Sequence, residues 1–227
     1  MKVKIAPSIL AADQADLKNE VARVEEAGAD MIHIDVSDGH FAPNISMGPD
    51  TVKSLRNVTR LPLDVHLMIE EPEKFLDRFL DAGGDIVTVH AEVVDEKRLR
   101  DFSRTIHSAG KKLGLALKPS TTLPSWFQAR LENIDLLLIL SVNPGFAGQQ
   151  FMPSVLPKLA ESIKLVGDRQ LEFEVDGGVD QRNAAQIVKV GATVLVAGAS
   201  IFRKGDVKSA LQEIRNVTDR TIREVPA

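Results

Sequence analysis

Apolar runs of strand length alternate with amphipathic stretches along the whole chain. The strand-like runs fall at 3–9, 31–36, 62–68, 85–90, 112–117, 135–142, 171–176 and 193–197. Between them lie segments with helical spacing of apolar residues: ADLKNEVARVEEAG (15–28), EPEKFLDRFLDAG (71–83) and DEKRLRDFSRTIHSAG (95–110). These close on glycine, a common helix C-terminal signal. One phrase recurs as EEAGADMIHI, LDAGGDIVTV, HSAGKKLGLAL and VKVGATVLVA, each reading helix, glycine, strand. A βα unit repeated about eight times is the simplest account, because no single unit can bury its own apolar face.

Eight such units predict a (β/α)8 TIM barrel, a fold of roughly 250 residues. No Ser/Gly-rich linker or low-complexity stretch interrupts the series, so residues 1–227 are expected to form a single domain. A doubly wound sheet is the second choice, weakened by the lack of a GxGxxG turn after the first strand. Composition narrows the function rather than the fold. A net charge of −4 and a pI near 5.8 argue against a nucleic-acid surface. No run approaches a membrane span, and MKVKIAPSIL has no signal-peptide core, so a cytoplasmic protein without membrane partners is expected. With no cysteine there is no thiolate nucleophile and no sulfur metal site.

Four residues carry the strongest chemical signal. His33 and Asp35 lie in HIDVSDGHFAPN, His66 in DVHLM and Asp176 in EVDGGVD, each where an apolar run breaks into loop residues. Strand side chains alternate, so His33 and Asp35 share a face, as do Asp64, His66 and Met68. In a parallel barrel all four meet at the C-terminal ends of the strands, where barrel active sites lie. Two imidazoles and two carboxylates suit one divalent ion such as Zn, Fe, Mn or Co. His40, in a loop, and His107, on a helix, are read as structural or solvated, and His90 with Glu92 as structural more than supporting. Glycines mark a second region: NPGFAGQQF, DGGVD and AGAS follow strands six, seven and eight. Loops there commonly bind phosphate through backbone N–H groups, which predicts a small phosphate ester reaching from these loops to the metal.

The runs IAPSILAAD, HIDVSDGHFAPNISMGP, DVHLMIEEP, SVNPGFAGQQF, EVDGGVD and VAGASIF, in order and spacing, resemble the ribulose-phosphate 3-epimerase family from about Ile5 to Phe202. The resemblance implies a TIM barrel acting on D-ribulose 5-phosphate in the pentose phosphate pathway. It implies His33, Asp35, His66 and Asp176 as metal ligands, with Asp35 and Asp176 exchanging protons with C3 from opposite faces. It places Ser8, His66, Met68 and Asp176 against the substrate. Its phosphate loops fall on Gly145, Phe146, Ala147 and Gly148, on Gly177 and Gly178, and on Gly198, Ala199 and Ser200. Family members are often dimers or hexamers, which implies a homo-oligomer.

The match has departures. Ser37 and Leu140 stand where the family usually has methionine, HAE at 90–92 where it commonly has His-Pro-Glu, and AGAS permutes a more usual Gly-Ser-Ala. Leu140 keeps the cap over the reacting carbons apolar, whereas Ser37 brings a hydroxyl to it and is expected to alter substrate orientation or turnover. Decarboxylases and aldolases on similar barrels usually carry DxKxxD after strand three. Here DVHLMI puts histidine in place of the lysine, which disfavours that chemistry. Two alternatives stay open: the same reaction on a longer ketose such as D-allulose 6-phosphate, and a non-catalytic sugar-phosphate binder.

Overall fold

The computed structural model describes residues 2–224. Its elements are β1 (Lys4–Pro7), α1 (Leu17–Glu26), β2 (Ile32–Ser37), α2 (Pro49–Arg56), β3 (Leu63–Met68), α3 (Leu76–Asp81), β4 (Ile86–His90), α4 (Glu96–Ser108), β5 (Lys112–Leu117), β6 (Leu136–Leu140), α5 (Leu156–Val166), β7 (Glu172–Asp176), α6 (Ala184–Val190), β8 (Val194–Ala197), α7 (Ala199–Phe202) and α8 (Val207–Glu224). All eight strands are parallel, in the order β1-β8-β7-β6-β5-β4-β3-β2. A single parallel bridge from Ser8 to His33 joins the two ends and closes the barrel. This is the (β/α)8 TIM barrel that the repeated unit predicts, with one correction. Between β5 and β6 no α-helix forms; a 3-10 turn over Gln128–Asn133 takes its place. Pro119 and Pro124 precede it, and proline removes a helix donor and clashes with the preceding turn.

Strand alternation creates two cores. On β6, Leu137 and Ile139 face outward and join Leu99, Phe79, Leu159 and Ile187 between sheet and helices. Leu136, Leu138 and Leu140 face inward with Ala6, Ile86, Val194 and Val196. The α4 helix shows how the outer layer is held. Leu99, Phe102 and Ile106 sit on one face and are buried, while Asp95 caps the N-terminus by accepting from Arg98 N at 2.8 Å. Each such buried side chain contributes roughly 1.5–3 kcal/mol. At the base, Arg215 of α8 donates to Val3 O at 2.6 Å and pairs with Asp30, tying the last helix to the first strand.

The barrel interior is apolar only on one side. Along β2, β3, β4 and β7 the inward polar positions include His33, Asp35, Ser37, Asp64, His66, Thr88, His90 and Glu174, all buried, with Asp176 at the mouth. Polar side chains in that position are costly without partners, so their partners identify the site.

Candidate active site

Register brings the four predicted residues together. Asp35 on β2 stands beside His66 on β3, His33 lies one pleat below Asp35, and Asp176 ends β7. One donor atom from each of His33, Asp35, His66 and Asp176 lies within 4.8 Å of all the others. His33 Nε2 is 3.3 Å from Asp35 Oδ1, and His66 Nδ1 is 3.1 Å from the same oxygen and 4.0 Å from Asp176 Oδ2. Ser8, at the barrel seam, donates from Oγ to Asp35 Oδ2 at 2.6 Å.

The quartet fits a divalent ion. His33 Nε2 is buried and has no hydrogen-bond partner, while its Nδ1 is tied to Asp64 Oδ2 at 2.6 Å. A carboxylate behind one ring nitrogen orients the ring and aims the other nitrogen at the quartet, as at many metal-binding histidines, and a cation there would take the place of that nitrogen's proton. With two nitrogens and two carboxylate oxygens the set has the chemistry of a Zn, Fe, Mn or Co site.

The two acids of the quartet differ in their protonation. Burial opposes ionisation of Asp35, yet the neighbouring His33 and His66 more than offset it, and its pKa lies well below the ordinary carboxylate range. Burial and then the charge of Asp35 raise Asp176 to about 6. Burial also works against the His33 imidazolium, but Asp35 and Asp64 outweigh it and hold its pKa well above the ordinary value. Below the quartet, burial and Asp64 raise Glu174 well above the ordinary range.

A cleft opens beside the acids. Ser8, Asp35, Met68, Leu140 and Asp176 line its inner end, and Gly145, Phe146, Ala147, Gly148, Gly177, Gly178, Gly198 and Ala199 line the outer part. Ser200 lies just outside, in an adjoining cavity with Gly148 and Gly178, and its Oγ donates to Val179 O at 2.6 Å. Gly145, Gly148, Gly177 and Gly178 all have positive φ, which turns their loops sharply at the rim. The short α7 begins there, and the first N–H groups of a helix lack intrahelical partners. His33 and His66 are fully buried at the floor, below the lining.

Several residues of the site exceed the sequence expectation. Asp64 and Glu174 share inward faces with His66 and Asp176, and the period-two rule that selected the quartet reaches them too. His90 and Glu92 do more than the structural reading allowed. His90 Nε2 lies 2.8 Å from His66 Nε2, and His90 Nδ1 lies 2.9 Å from Glu92 Oε2. Burial pulls His90 down to about 4 against the opposing effect of Glu92, while burial of Glu92 is outweighed by His90 and it falls to about 2. His40 is exposed, and His107 pairs with Asp135 at 2.8 Å on the outer surface, in keeping with their structural reading. Ser37 Oγ is buried and unpartnered.

A parallel eight-stranded barrel with a His2Asp2 cluster in its interior and glycine loops at its rim defines a TIM-barrel enzyme with a candidate metal site at the C-terminal end of its strands. Sequence comparison narrows the class. The ribulose-phosphate 3 epimerase family profile matches residues 4–202, and the chain belongs to that family. It is 47% identical over 216 residues to a ribulose-phosphate 3-epimerase of Bacillus subtilis strain 168, covering 94% of this chain and 98% of that protein. It is 46% identical over 213 residues to a chloroplastic ribulose-5-phosphate-3-epimerase of Arabidopsis thaliana, covering 93% of this chain and 75% of that one. Among solved structures, 3-hexulose-6-phosphate synthase from Salmonella typhimurium superposes with a TM-score of 0.71 at 21% identity, covering 97% of this chain and 100% of that one. At that identity the likeness shows the fold alone. Among the described residues no helix is long and apolar enough to cross a membrane.

Proposed function

We propose that the chain is a metal-dependent ribulose-phosphate 3-epimerase, interconverting D-ribulose 5-phosphate and D-xylulose 5-phosphate in the pentose phosphate pathway. The observation that carries this reading is the His33, Asp35, His66 and Asp176 quartet, with its two acids on distant strands, beside a cleft that ends in glycine loops. His33, Asp35, His66 and Asp176 would hold one divalent ion. When bound, such an ion would supply Lewis-acid stabilisation of the negative charge that develops on the substrate.

The chain's own groups supply the rest. Asp35, kept ionised, accepts the proton from C3. Asp176 returns one to the opposite face of the enediolate, and the roles exchange in the reverse direction. Ser8 fixes the Asp35 carboxylate through its second oxygen. Met68 and Leu140 cover the reacting carbons and exclude water. The phosphate sits among Gly145–Gly148, Gly177, Gly178 and Gly198–Ser200, where backbone N–H groups rather than side-chain cations meet the dianion. The reading includes a cytoplasmic protein that forms homo-oligomers, which light scattering in solution tests.

The test is proton exchange at C3, followed by NMR in D2O with the metal-loaded protein and D-ribulose 5-phosphate or D-allulose 6-phosphate. Deuterium at C3 of xylulose 5-phosphate, lost in both Asp35→Asn and Asp176→Asn, supports the two-acid epimerase. Loss of either acid should lower the rate about 10²–10⁴-fold. A preference for the six-carbon sugar replaces the substrate. Binding without exchange leaves a sugar-phosphate binder and refutes the catalytic reading.

A further inference from the structure

Behind His66 runs a line of polar groups that the proton exchange does not use. His66 turns Nδ1 toward Asp35 and Asp176, and Nε2 toward His90 Nε2 at 2.8 Å. His90 Nδ1 continues to Glu92 Oε2 at 2.9 Å, and the other Glu92 oxygen accepts from Lys118 N at 2.8 Å. His66 and His90 are both fully buried. Phe41 packs on the His90 ring with centroids 4.4 Å apart, and Lys118 covers the Phe41 face at 3.6 Å.

We infer that Glu92, acting through His90, selects the ring nitrogen that His66 offers to a metal ion. The inference rests on the reading of His66 as a ligand. A carboxylate can only accept, so Glu92 places the His90 proton on Nδ1. His90 Nε2 is then bare and can only accept. That requires a proton on His66 Nε2, and a neutral imidazole carrying it there has its lone pair on Nδ1, the atom facing the quartet. Asp35 Oδ1, 3.1 Å from His66 Nδ1, competes for that proton by the same rule. A cation bound by the Asp35 carboxylate removes the competition, so the order set by Glu92 prevails in the loaded site. The opposite order, with His90 donating from Nε2, puts the His66 proton on Nδ1 and closes it to a metal. His90 and Glu92 are therefore positioning residues. They serve the second imidazole as Asp64 serves His33, with one more ring in the line.

The experiment uses the full chain loaded with Zn²⁺ and labelled with ¹⁵N-histidine. The chain has 5 histidines, so single-histidine variants assign the spectrum. Two-bond ¹H–¹⁵N correlations are expected to show His66 protonated at Nε2 and His90 at Nδ1. Zinc affinity, measured by competition with a chromophoric chelator, should fall about 10–100-fold in His90→Leu. His90→Gln, whose amide oxygen accepts from His66, should recover most of that loss. Glu92→Gln keeps the shape without forcing the direction, and is expected to show His90 in both tautomers. A wild-type His90 protonated at Nε2 overturns the inference, as does a folded His90→Leu with undiminished affinity. If zinc binding depends on His66→Ala but not on His90 or Glu92, this inference fails and the metal reading stands. If the unaltered chain takes up no metal, both fail.

Discussion

Gly178 is the position where a single methyl group should cost most for its size. Its φ is +65°, and a Cβ built there would lie 2.4 Å from Phe151 N and 2.7 Å from Gln149 O. Both atoms are backbone, so no side chain can swing away. The left-handed conformation alone costs an L-residue about 1–2 kcal/mol. Forcing the 149–151 segment outward adds about 1–3 kcal/mol, the usual range for overpacking. Gly178→Ala should therefore lose roughly 2–5 kcal/mol in total.

Gly28 separates the two contributions. Its φ is +94°, with nothing within 4 Å of an added Cβ, so Gly28→Ala pays only the conformational part. Urea unfolding of both variants gives the difference directly, provided the slope with denaturant is unchanged. The displaced segment also borders the proposed phosphate loops, so Gly178→Ala should raise KM for the sugar phosphate and Gly28→Ala should not. Stability losses within about 0.5 kcal/mol of each other, together with equal KM values, would show that the loop gives way freely and that no tight approach is built there.

Three further outcomes follow from unpartnered or singly partnered groups. Asp64→Asn keeps the size of the group behind His33 but weakens its hold on Nδ1, and metal affinity should fall about 10–100-fold in a chelator competition; an unchanged affinity would remove Asp64 from the site. Ser37→Ala deletes a buried hydroxyl that has no partner, so thermal unfolding should show a neutral or slightly stabilising change. Ser37→Met should alter kcat or KM without changing the reaction, and constants identical to those of the unaltered chain would refute a role for that hydroxyl in the cap.

Much of this was legible before any coordinates. The run Leu136–Leu140 reads as a buried strand, and the period-two faces of β2 and β3 place His33, Asp35 and His66 correctly. What escaped needed distances across strands. His66 stands in register with Thr88, not with His90, so the 2.8 Å contact between the two imidazoles is a diagonal that depends on barrel curvature. Glu174 was hidden differently: an acidic residue amid LEFEVD looks like a solvent-facing alternation until the sheet closes and that face becomes the interior. The missing helix after β5 was foreshadowed by Pro119 and Pro124, but the repetition of the other units masked that break.

The asymmetry between Asp35 and Asp176 gives the metal a pH-dependent thermodynamic signature. Asp35 is held low, against its burial, by His33 and His66, whereas burial and then the charge of Asp35 raise Asp176 to about 6. A carboxyl raised in the folded state keeps a proton that the unfolded chain has already lost. From about pH 4 upward, the contribution of Asp176 to the stability of the metal-free protein therefore falls as pH rises, and this loss is complete above the folded value of about 6. A divalent ion reverses the preference, because it binds the ionised group and must displace that proton below the folded value. The rise in Tm on adding Mn²⁺ should thus be larger at about pH 8 than at about pH 5. In Asp176→Asn the metal-free slope attributable to this residue should vanish. Equal metal-induced shifts at both pH values, in a protein that binds the ion at each, would mean that Asp176 holds no proton for the ion to displace.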